Sequence, residues 1–456
     1  MTIIGALLLF VVGLDAVSNR AREGLELIVV AVLFLAAAVG FIEALAALRM
    51  PKPPPHPEVP LPSTTAIIAA YLPNEADLIV ETIEHHLQAG PPDLQVIVAY
   101  NTPTPLDVEF DLLELAQREP RLVVLQVEHS TSKAENVNAA LAVATGEIIG
   151  VFDADHHPQA GSYQRAWRWM AADVADVVQG RCAVRMASGK TRRSFLDIIV
   201  TAEFEQIYTV SHPGRTRLQG FGIFGGSNGY WRAESLRAMR LDPTALTEDI
   251  DASVRLLRSG GRIITDPGIV SGELAPPSLR ALCHQRLRWS QGWFQVARRH
   301  LGALVADESI GVRSRIGSAW LFGTAAVMPW IGALTIPVSI QHFLFPSNAS
   351  SVRENIGLFG QYAATLPAER SPFIGYLVTF GMISFLTQAA VAFRHALPGS
   401  RRLWIFAPYV VASAICFSHL RTACARLSHV RELSGQADWK VTPRTAGRAA
   451  AAAAEA

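Results

Sequence analysis

Long apolar segments at both ends of the chain enclose a central part of mixed polarity. Apolar runs cover 3–17 and 25–48 near the start, and 316–345, 373–393 and 403–423 near the end. A membrane-spanning helix needs roughly 20 predominantly apolar residues, a length that every run except the first reaches. No basic residue precedes the first run, as a cleavable signal peptide would require. The pattern therefore predicts retained transmembrane helices in residues 1–50 and a C-terminal transmembrane region in 301–425.

Short apolar runs alternate with amphipathic stretches in the centre of the chain, between residues 64 and 300. The runs at 65–70, 95–99, 122–127 and 147–151 have the length and composition of buried strands, and 75–89 has a helical period. Strands that alternate with helices predict an α/β domain around a mostly parallel sheet covered on both faces. The Pro-rich stretch 51–63 predicts a stiff linker between the membrane and this domain.

Composition agrees with a membrane protein. The 456 residues are 50% hydrophobic and 17% charged, whereas soluble domains carry about 25% charged residues. A net charge of +1 gives no electrostatic reason to expect nucleic acid as a partner. The four cysteines show no metal-binding spacing and fit a reducing compartment.

The side of the membrane on which the tail lies depends on residues 316–345. Basic residues in the tail, 426–456, favour a cytosolic location by the positive-inside rule. This location requires 316–345 to form a tight helical pair kinked at Pro329 and Pro337, and we expect that pair. The protein is then a multi-pass protein of the inner (plasma) membrane with a cytosolic central domain.

Four motifs follow one another in the central domain. Asp153 and Asp155 directly follow the strand at 147–151, and paired carboxylates suit Mg²⁺ or Mn²⁺, although an acidic turn would look the same. Downstream come Gly225-Gly226-Ser227-Asn228, then Thr247-Glu248-Asp249 before a helical run, and finally Gln285-Arg286-Leu287-Arg288-Trp289.

In this order the motifs resemble those of family 2 glycosyltransferases of the membrane-embedded β-glycan synthase type. Cellulose, curdlan and hyaluronan synthases belong to this group, as do related lipid glucosyltransferases. The resemblance covers about residues 64–300. It implies a GT-A-like, Rossmann-type domain inserted between N- and C-terminal transmembrane helices, and sugar transfer from a nucleotide sugar with inversion at the anomeric carbon.

The resemblance also implies a role for each acidic residue. Asp155 would ligate the metal ion, and Asp153 would contact the ribose or the metal. Asp249 occupies the position of the base that deprotonates the acceptor, and Glu248 would shape the acceptor site. The alternative for Thr247-Glu248-Asp249 is an ordinary helix N-terminus with a threonine cap, which is compatible with catalysis because a helix start holds Asp249 rigidly.

Further residues receive substrate-binding roles from the same resemblance. The nucleotide sugar would contact Pro73, Asn74, Glu75, Asn101, Lys133, Asn138, Asp153 and Arg288. Asn101 departs from the family, which has an Asp there to read the base. The acceptor would contact Gly226, Ser227, Asn228, Gln285 and Trp289, although the glycine motif alone would also fit a tight turn. Trp439, Thr442 and Arg444 resemble a gating loop over the nucleotide, with a solvated basic tail as the alternative.

Three functions remain open at this point. The first is a processive enzyme that adds glucose from UDP-glucose to a growing β-glucan and conducts the polymer across the membrane. The second is a lipid glucosyltransferase acting on diacylglycerol or ceramide, because such enzymes carry the same motifs. The third is a catalytically silent membrane subunit, against which the intact set of Asp153, Asp155 and Asp249 argues.

Overall fold

The computed structural model describes residues 19–344 and 372–436, which contain an eight-stranded sheet and fifteen α-helices. The strands are β1 (Thr64–Tyr71), β2 (Gln95–Asn101), β3 (Leu122–Gln126), β4 (Ile148–Asp153), β5 (His157–Pro158), β6 (Val177–Arg185), β7 (Gly229–Arg232) and β8 (Ile263–Leu274). The helices are α1 (Asn19–Ala47), α2 (Leu72–Glu75), α3 (Ile79–Ala89), α4 (Val108–Arg118), α5 (Lys133–Ala140), α6 (Ser162–Ala171), α7 (Phe195–Gln206), α8 (His212–Gln219), α9 (Ala233–Met239), α10 (Glu248–Arg258), α11 (Leu279–Ala306), α12 (Val312–Leu344), α13 (Pro372–His395), α14 (Leu403–Ala412) and α15 (Ser418–Leu433).

The strands are arranged in the order β3-β2-β1-β4-β7-β6-β8-β5. Strands β3, β2, β1 and β4 are parallel, whereas β7 runs antiparallel to both β4 and β6. All four predicted strands are present, and six of the eight strands run in the same direction, so the sheet is mostly parallel, with β5 and β7 reversed. The reversal of β7 could not be predicted because the direction of a strand is set by its partners in the sheet and not by a local sequence pattern. The parallel half brings the carboxyl ends of β1, β2 and β4 to one edge.

Both faces of the sheet are covered, as predicted. Ile68 and Phe152 point to the face where α3, α4 and α6 pack, and Ile67 and Val151 point to the face where α5, α9 and α10 pack. Successive residues of a strand alternate between faces, so a continuous apolar run fills both cores. Burial of each such side chain contributes about 1.5–3 kcal/mol.

A third apolar cluster joins the central domain to the helices outside it. It combines Cys182 of β6 and Val200 of α7 with Ala44 of α1, Val391 of α13 and Phe406 of α14. Helices α1 and α13 also pack on each other. Their phenylalanine rings at 34 and 380 stack at 4.9 Å, and the hydroxyl of Ser384 donates to the carbonyl of Ala37 over 2.7 Å.

Three helices in the described residues are long and apolar enough to cross a membrane: Ile28–Ala47, Val312–Leu334 and Leu403–Leu433. The predicted pair of helices within 316–345 is wrong, because Val312–Leu344 forms one continuous helix. A tight turn at Pro329 or Pro337 would leave backbone groups unpaired in an apolar medium, which a continuous helix avoids.

The helical segment from α14 to α15 follows the central domain along its whole length. Near its start, Tyr409 donates to Gln206 of α7 over 2.9 Å. In its middle, Arg421 pairs with Glu203 of α7 at 3.3 Å. Beyond its end, the carbonyl of Gln436 accepts from Gln291 of α11 over 2.6 Å. The last described residue therefore lies against the central domain.

Candidate active site

Two cavities meet at the carboxyl edge of the parallel strands. The first has a volume of about 470 Å³ and the second about 340 Å³, both within the range of small-molecule pockets. Their linings have four residues in common, Lys133, Asp153, Glu248 and Arg288. The same four charged side chains therefore face both cavities.

The first cavity lies at the ends of β1 and β2, where open α/β sheets bind their ligands. Predicted residues Glu75 and Asn101 line it, together with Ala69 and Ala70 near the end of β1. Asn101 donates to the carbonyl of Ser130 over 2.9 Å and accepts from Asn136 over 2.8 Å. Both groups of the Asn101 amide are thereby held in a fixed orientation at the cavity wall.

Lys133 connects three separate parts of the site. It is the first residue of α5, and its ammonium pairs with Asp153 and donates to the carbonyl of Gly226 over 2.5 Å. Burial opposes the charge of this lysine, but the carboxylates of Asp153, Glu248 and Asp249 outweigh that effect and raise its pKa. Lys133 therefore remains a cation between the two cavities.

The donor set at the end of β4 suits a divalent metal ion. Asp153, Asp155 and His156 each offer a ligand atom, and these atoms lie within 4.8 Å of one another. Asp155 is 1% exposed, and its carboxylate accepts from the backbone of Leu274 over 3.0 Å, which fixes its direction. Two carboxylates with one imidazole fit Mg²⁺ or, because of the nitrogen, Mn²⁺.

Asp249 lies in the first turn of α10 and lines the second cavity. Its carboxylate accepts from the backbone of Ile250 over 2.9 Å. Burial and the neighbouring Glu248 raise the pKa of Asp249 to about 7, while Lys133 and Arg288 act in the opposite direction. A carboxylate with this pKa is an effective proton acceptor near neutral pH. The expected threonine cap is absent, because Thr247 makes no capping hydrogen bond.

The glycine motif forms the wall of the second cavity opposite Asp249. Gly226 has a φ of +88°, and a Cβ atom there would lie 2.8 Å from the Asp249 carboxylate. Ser227 lines the same cavity, and its hydroxyl accepts from the backbone of Asp153 over 3.1 Å. Glycine is required at 226 both by the backbone conformation and by the nearby carboxylate.

Aromatic side chains line the second cavity where it faces α7 and α11. Trp289 stacks with Phe204 at 6.4 Å, and the Arg286 guanidinium lies 4.3 Å from the Trp289 ring. Arg286 donates to Glu203 over 2.5 Å, and Glu203 also pairs with Arg421. The buried carboxylate of Glu203 thus connects Arg286, which lies against the Trp289 ring, to Arg421 of α15. Gln285, one of the predicted acceptor residues, also lines this cavity.

Some predicted residues lie outside both cavities. The Asn138 amide exchanges hydrogen bonds with the backbone of Leu241, over 2.7 and 2.9 Å. Asn228 is fully buried, and its amide donates to the carbonyl of Arg181 over 3.0 Å. Pro73 and Asn74 lie in α2, where Asn74 donates to Glu75 over 3.0 Å. The predicted gating residues Trp439, Thr442 and Arg444 lie outside the described residues.

Other cavity residues were not found from the sequence. Asn136 lines the first cavity and is three residues from Lys133, so the helical period of α5 could have indicated it. His156, Cys182, Tyr208 and Glu273 line the second cavity. They come from distant parts of the chain, and no local pattern connects them.

Comparison with known proteins agrees with this geometry. Residues 148–351 match the family model described as glycosyl transferase family group 2. The chain is 27% identical over 189 residues to the beta-monoglucosyldiacylglycerol synthase of a Synechocystis species, which covers 40% of this chain and 38% of that relative. It is 28% identical over 178 residues to the cellulose synthase catalytic subunit of Xanthomonas axonopodis pv. citri, a match that covers 38% of this chain and 24% of that relative. The chain therefore spans less than half the length of these curated relatives.

Among solved structures, the fold is similar to that of the mannosyltransferase PcManGT from Pyrobaculum calidifontis, in complex with GDP-Man and Mn²⁺. The TM-score is 0.54 at 21% identity, covering 81% of this chain and 97% of that chain. At this level of identity the likeness concerns the fold alone. The predicted GT-A-like fold is confirmed.

Proposed function

We propose that this chain, which carries a family 2 glycosyltransferase domain, transfers glucose from UDP-glucose to an acceptor hydroxyl with inversion of configuration. The observation that carries the proposal is the pair of adjoining cavities with Asp249 in the second and Lys133, Asp153, Glu248 and Arg288 between them. This arrangement gives separate places for a charged donor and a neutral acceptor, with a base beside their common wall.

In this proposal the first cavity holds the nucleotide. Glu75 and the oriented amide of Asn101 supply polar groups for the base and ribose, and Arg288 faces the diphosphate as a fixed cation. When bound, Mg²⁺ or Mn²⁺ neutralises charge on the departing diphosphate, and Asp153 and Asp155 are the residues that would hold it.

The transfer itself uses Asp249 as the general base. The acceptor oxygen bonds to the anomeric carbon while the bond from that carbon to the diphosphate breaks. The hydroxyl proton passes to Asp249, and UDP leaves with the negative charge beside Lys133 and Arg288. The raised pKa of Asp249 supports this role, because a base whose pKa is near the ambient pH accepts protons effectively and returns them to water.

We favour a growing β-glucan as the acceptor. Trp289, Phe204 and Tyr208 give the second cavity aromatic faces of the kind on which sugar rings stack. Elongation on the cytosolic side, where nucleotide sugars are made, would require the polymer to leave through the membrane helices. One observation favours the second candidate, a lipid glucosyltransferase. Arg421, which lies within the candidate membrane span Leu403–Leu433, lines this same cavity, so the cavity wall includes a segment that a lipid headgroup can approach.

One assay tests both the reaction and the acceptor. Purified protein in lipid vesicles receives labelled UDP-glucose with Mg²⁺ or Mn²⁺, and products are separated into polymer and organic-soluble fractions. We expect label in a β-glucanase-sensitive polymer. Label confined to a glycolipid would instead establish the second candidate, and no incorporation in either fraction would contradict the proposed reaction.

Two changes to this assay test the mechanism. Asp249→Asn is expected to lower turnover by roughly 10²- to 10⁴-fold, the usual contribution of a general base. Asp111→Asn, at an exposed position of α4, is the matched control and should keep full activity. Chelation of divalent ions should abolish turnover. Normal turnover by Asp249→Asn would show that another group removes the proton.

A further inference from the structure

A second cluster of metal-ligating side chains lies on the floor of the second cavity. His156, Cys182 and Glu273 are all buried, and each offers a ligand atom within 4.8 Å of the other two. They come from the segment after β4, from β6 and from β8. The thiol distinguishes this set from Asp153 and Asp155, because sulfur ligands favour softer ions than Mg²⁺.

The strand register brings these side chains to the same face of the sheet. In the parallel pair of β6 and β8, Cys182 is opposite Ser271, and Glu273 is two residues farther along β8. Side chains two residues apart in a strand share a face, so Cys182, Ser271 and Glu273 all project towards His156. The cluster is therefore a consequence of the sheet and does not depend on a flexible loop.

The imidazole of His156 is held in the way that metal-ligating histidines usually are. Its Nδ1 lies 3.1 Å from the hydroxyl of Ser271, and its Nε2 lies 3.7 Å from a carboxylate oxygen of Glu273. A histidine that ligates a metal normally donates its other N–H to a fixed partner, here Ser271. The Nε2–oxygen separation is longer than a hydrogen bond. It is within a few tenths of an ångström of the roughly 3.3–3.5 Å between a nitrogen and an oxygen ligand of one tetrahedral zinc ion.

We propose that His156, Cys182 and Glu273 form a binding site for a borderline-soft divalent ion of the Zn²⁺ class. Three protein ligands leave one tetrahedral position for water or an acceptor hydroxyl. That position faces the second cavity, because all three side chains line it. The carbonyl of Ser227, which also lines this cavity, lies 3.9 Å from the Cys182 sulfur.

Cobalt(II) spectroscopy of the full-length protein tests this proposal without measuring activity. Metals are removed from the detergent-purified protein, and Co²⁺ alone is added in the absence of nucleotide. We expect a sulfur-to-cobalt charge-transfer band in the near ultraviolet, which stoichiometric Zn²⁺ abolishes. Asp153 and Asp155 cannot produce such a band because they lack sulfur, so Asp155→Asn should retain it.

Two cysteine variants identify the ligand. Cys182→Ser is expected to lose the charge-transfer band, whereas Cys283→Ser, the matched control at a partly exposed cysteine, should keep it. If Cys182→Ser does not fold, the Ser271→Ala variant tests the proposal instead. It should keep the band but weaken Co²⁺ affinity by roughly 10- to 100-fold, as loss of an outer hydrogen bond does. A wild-type protein without the band, a band that survives in Cys182→Ser, or unchanged affinity in Ser271→Ala would overturn the proposal.

Discussion

At the scale of single residues, the proximity of Asp249 to Glu248 controls the pKa of the proposed base. The two carboxylates are consecutive residues at the start of α10. Glu248 lines both cavities, whereas Asp249 lines only the second. Because Asp249 is buried beside another anion, it holds its proton up to a pH of about 7. The identity of the neighbour therefore affects the pH at which the proposed base becomes active.

The pH dependence of turnover should show this coupling. Asp249 must be deprotonated to accept a proton, so kcat/KM is expected to rise with pH around 7 and then to level off. Glu248→Gln removes the negative charge that raises the pKa of Asp249, so the half-maximal pH should move to a lower value. Steady-state kinetics across pH 5–9 measure this half-maximal pH. Glu234→Gln, at an exposed position of α9, is the control. A shift to higher pH in Glu248→Gln would contradict the assigned cause.

Gly226 and Gly225 are neighbours with different surroundings. Alanine at 226 would have a left-handed φ and a Cβ 2.8 Å from the Asp249 carboxylate, whereas the nearest atom to a Cβ at 225 is 3.4 Å away. We expect Gly226→Ala to lower kcat by on the order of 100-fold, because a displacement of about 1 Å has that effect on catalytic geometry. Gly225→Ala should remain near wild type. Equal losses in both variants would show that the loop as a whole, and not the contact with Asp249, matters.

At the scale of secondary-structure elements, the packing of α10 against α11 assembles the site. Gly292 of α11 packs directly on Thr247, which precedes α10, and a Cβ there would lie 2.5 Å from the Thr247 hydroxyl. Asp251 of α10 and His300 of α11 hydrogen-bond over 2.7 Å. Close packing of the two helices holds Asp249, on α10, near Arg288 and Trp289, on α11.

Two glycines of α11 provide a matched test of this packing. Gly292→Ala should destabilise the protein by about 1–3 kcal/mol, the usual cost of overpacking, and should reduce turnover because α11 must move away from α10. Gly302→Ala is in the same helix with nothing within 4 Å of the new Cβ, so it should stabilise by about 1 kcal/mol. Thermal unfolding in detergent and turnover together measure both effects. A Gly292→Ala protein as stable and active as Gly302→Ala would exclude a close helix contact.

At the scale of the whole molecule, the long apolar segment Leu403–Leu433 combines a membrane-like composition with contacts to the central domain. Composition allows it to cross a membrane. However, Tyr409, Arg421 and Glu432 contact α7 or α11 of the central domain. We infer that this segment lies along the membrane surface beneath the domain, with exposed side chains such as Trp404 and Ile415 facing lipid.

Labelling from one side of the membrane tests this arrangement. New cysteines replace, one at a time, Arg401 and Gln436, which flank the segment and are exposed, in a background without the accessible Cys283 and Cys416. A membrane-impermeant maleimide should reach both positions from the side on which a cysteine at Glu234 of the domain is labelled. If the segment crossed the membrane, the two positions would be labelled from opposite sides.

The sequence by itself determined several strands of the sheet and several of the residues that line the candidate site. Apolar runs at 65–70, 95–99 and 147–151 became β1, β2 and β4, because a run buried on both faces is a local property of the chain. Asp153, Asp249 and Arg288 were predicted from motifs and do line the cavities. Their positions are local too, since Asp153 ends a strand, Asp249 lies in the first turn of a helix and Arg288 lies within one.

Only the tertiary structure decided what depends on distant segments. It showed β7 to be antiparallel, Val312–Leu344 to be one helix, and Asn136 rather than Asn138 to line the first cavity. It also brought His156, Cys182 and Glu273 together, although their spacing along the chain resembles no metal motif. Strand register and helix packing set these positions, and both arise from contacts between residues that are tens to hundreds of positions apart in the sequence.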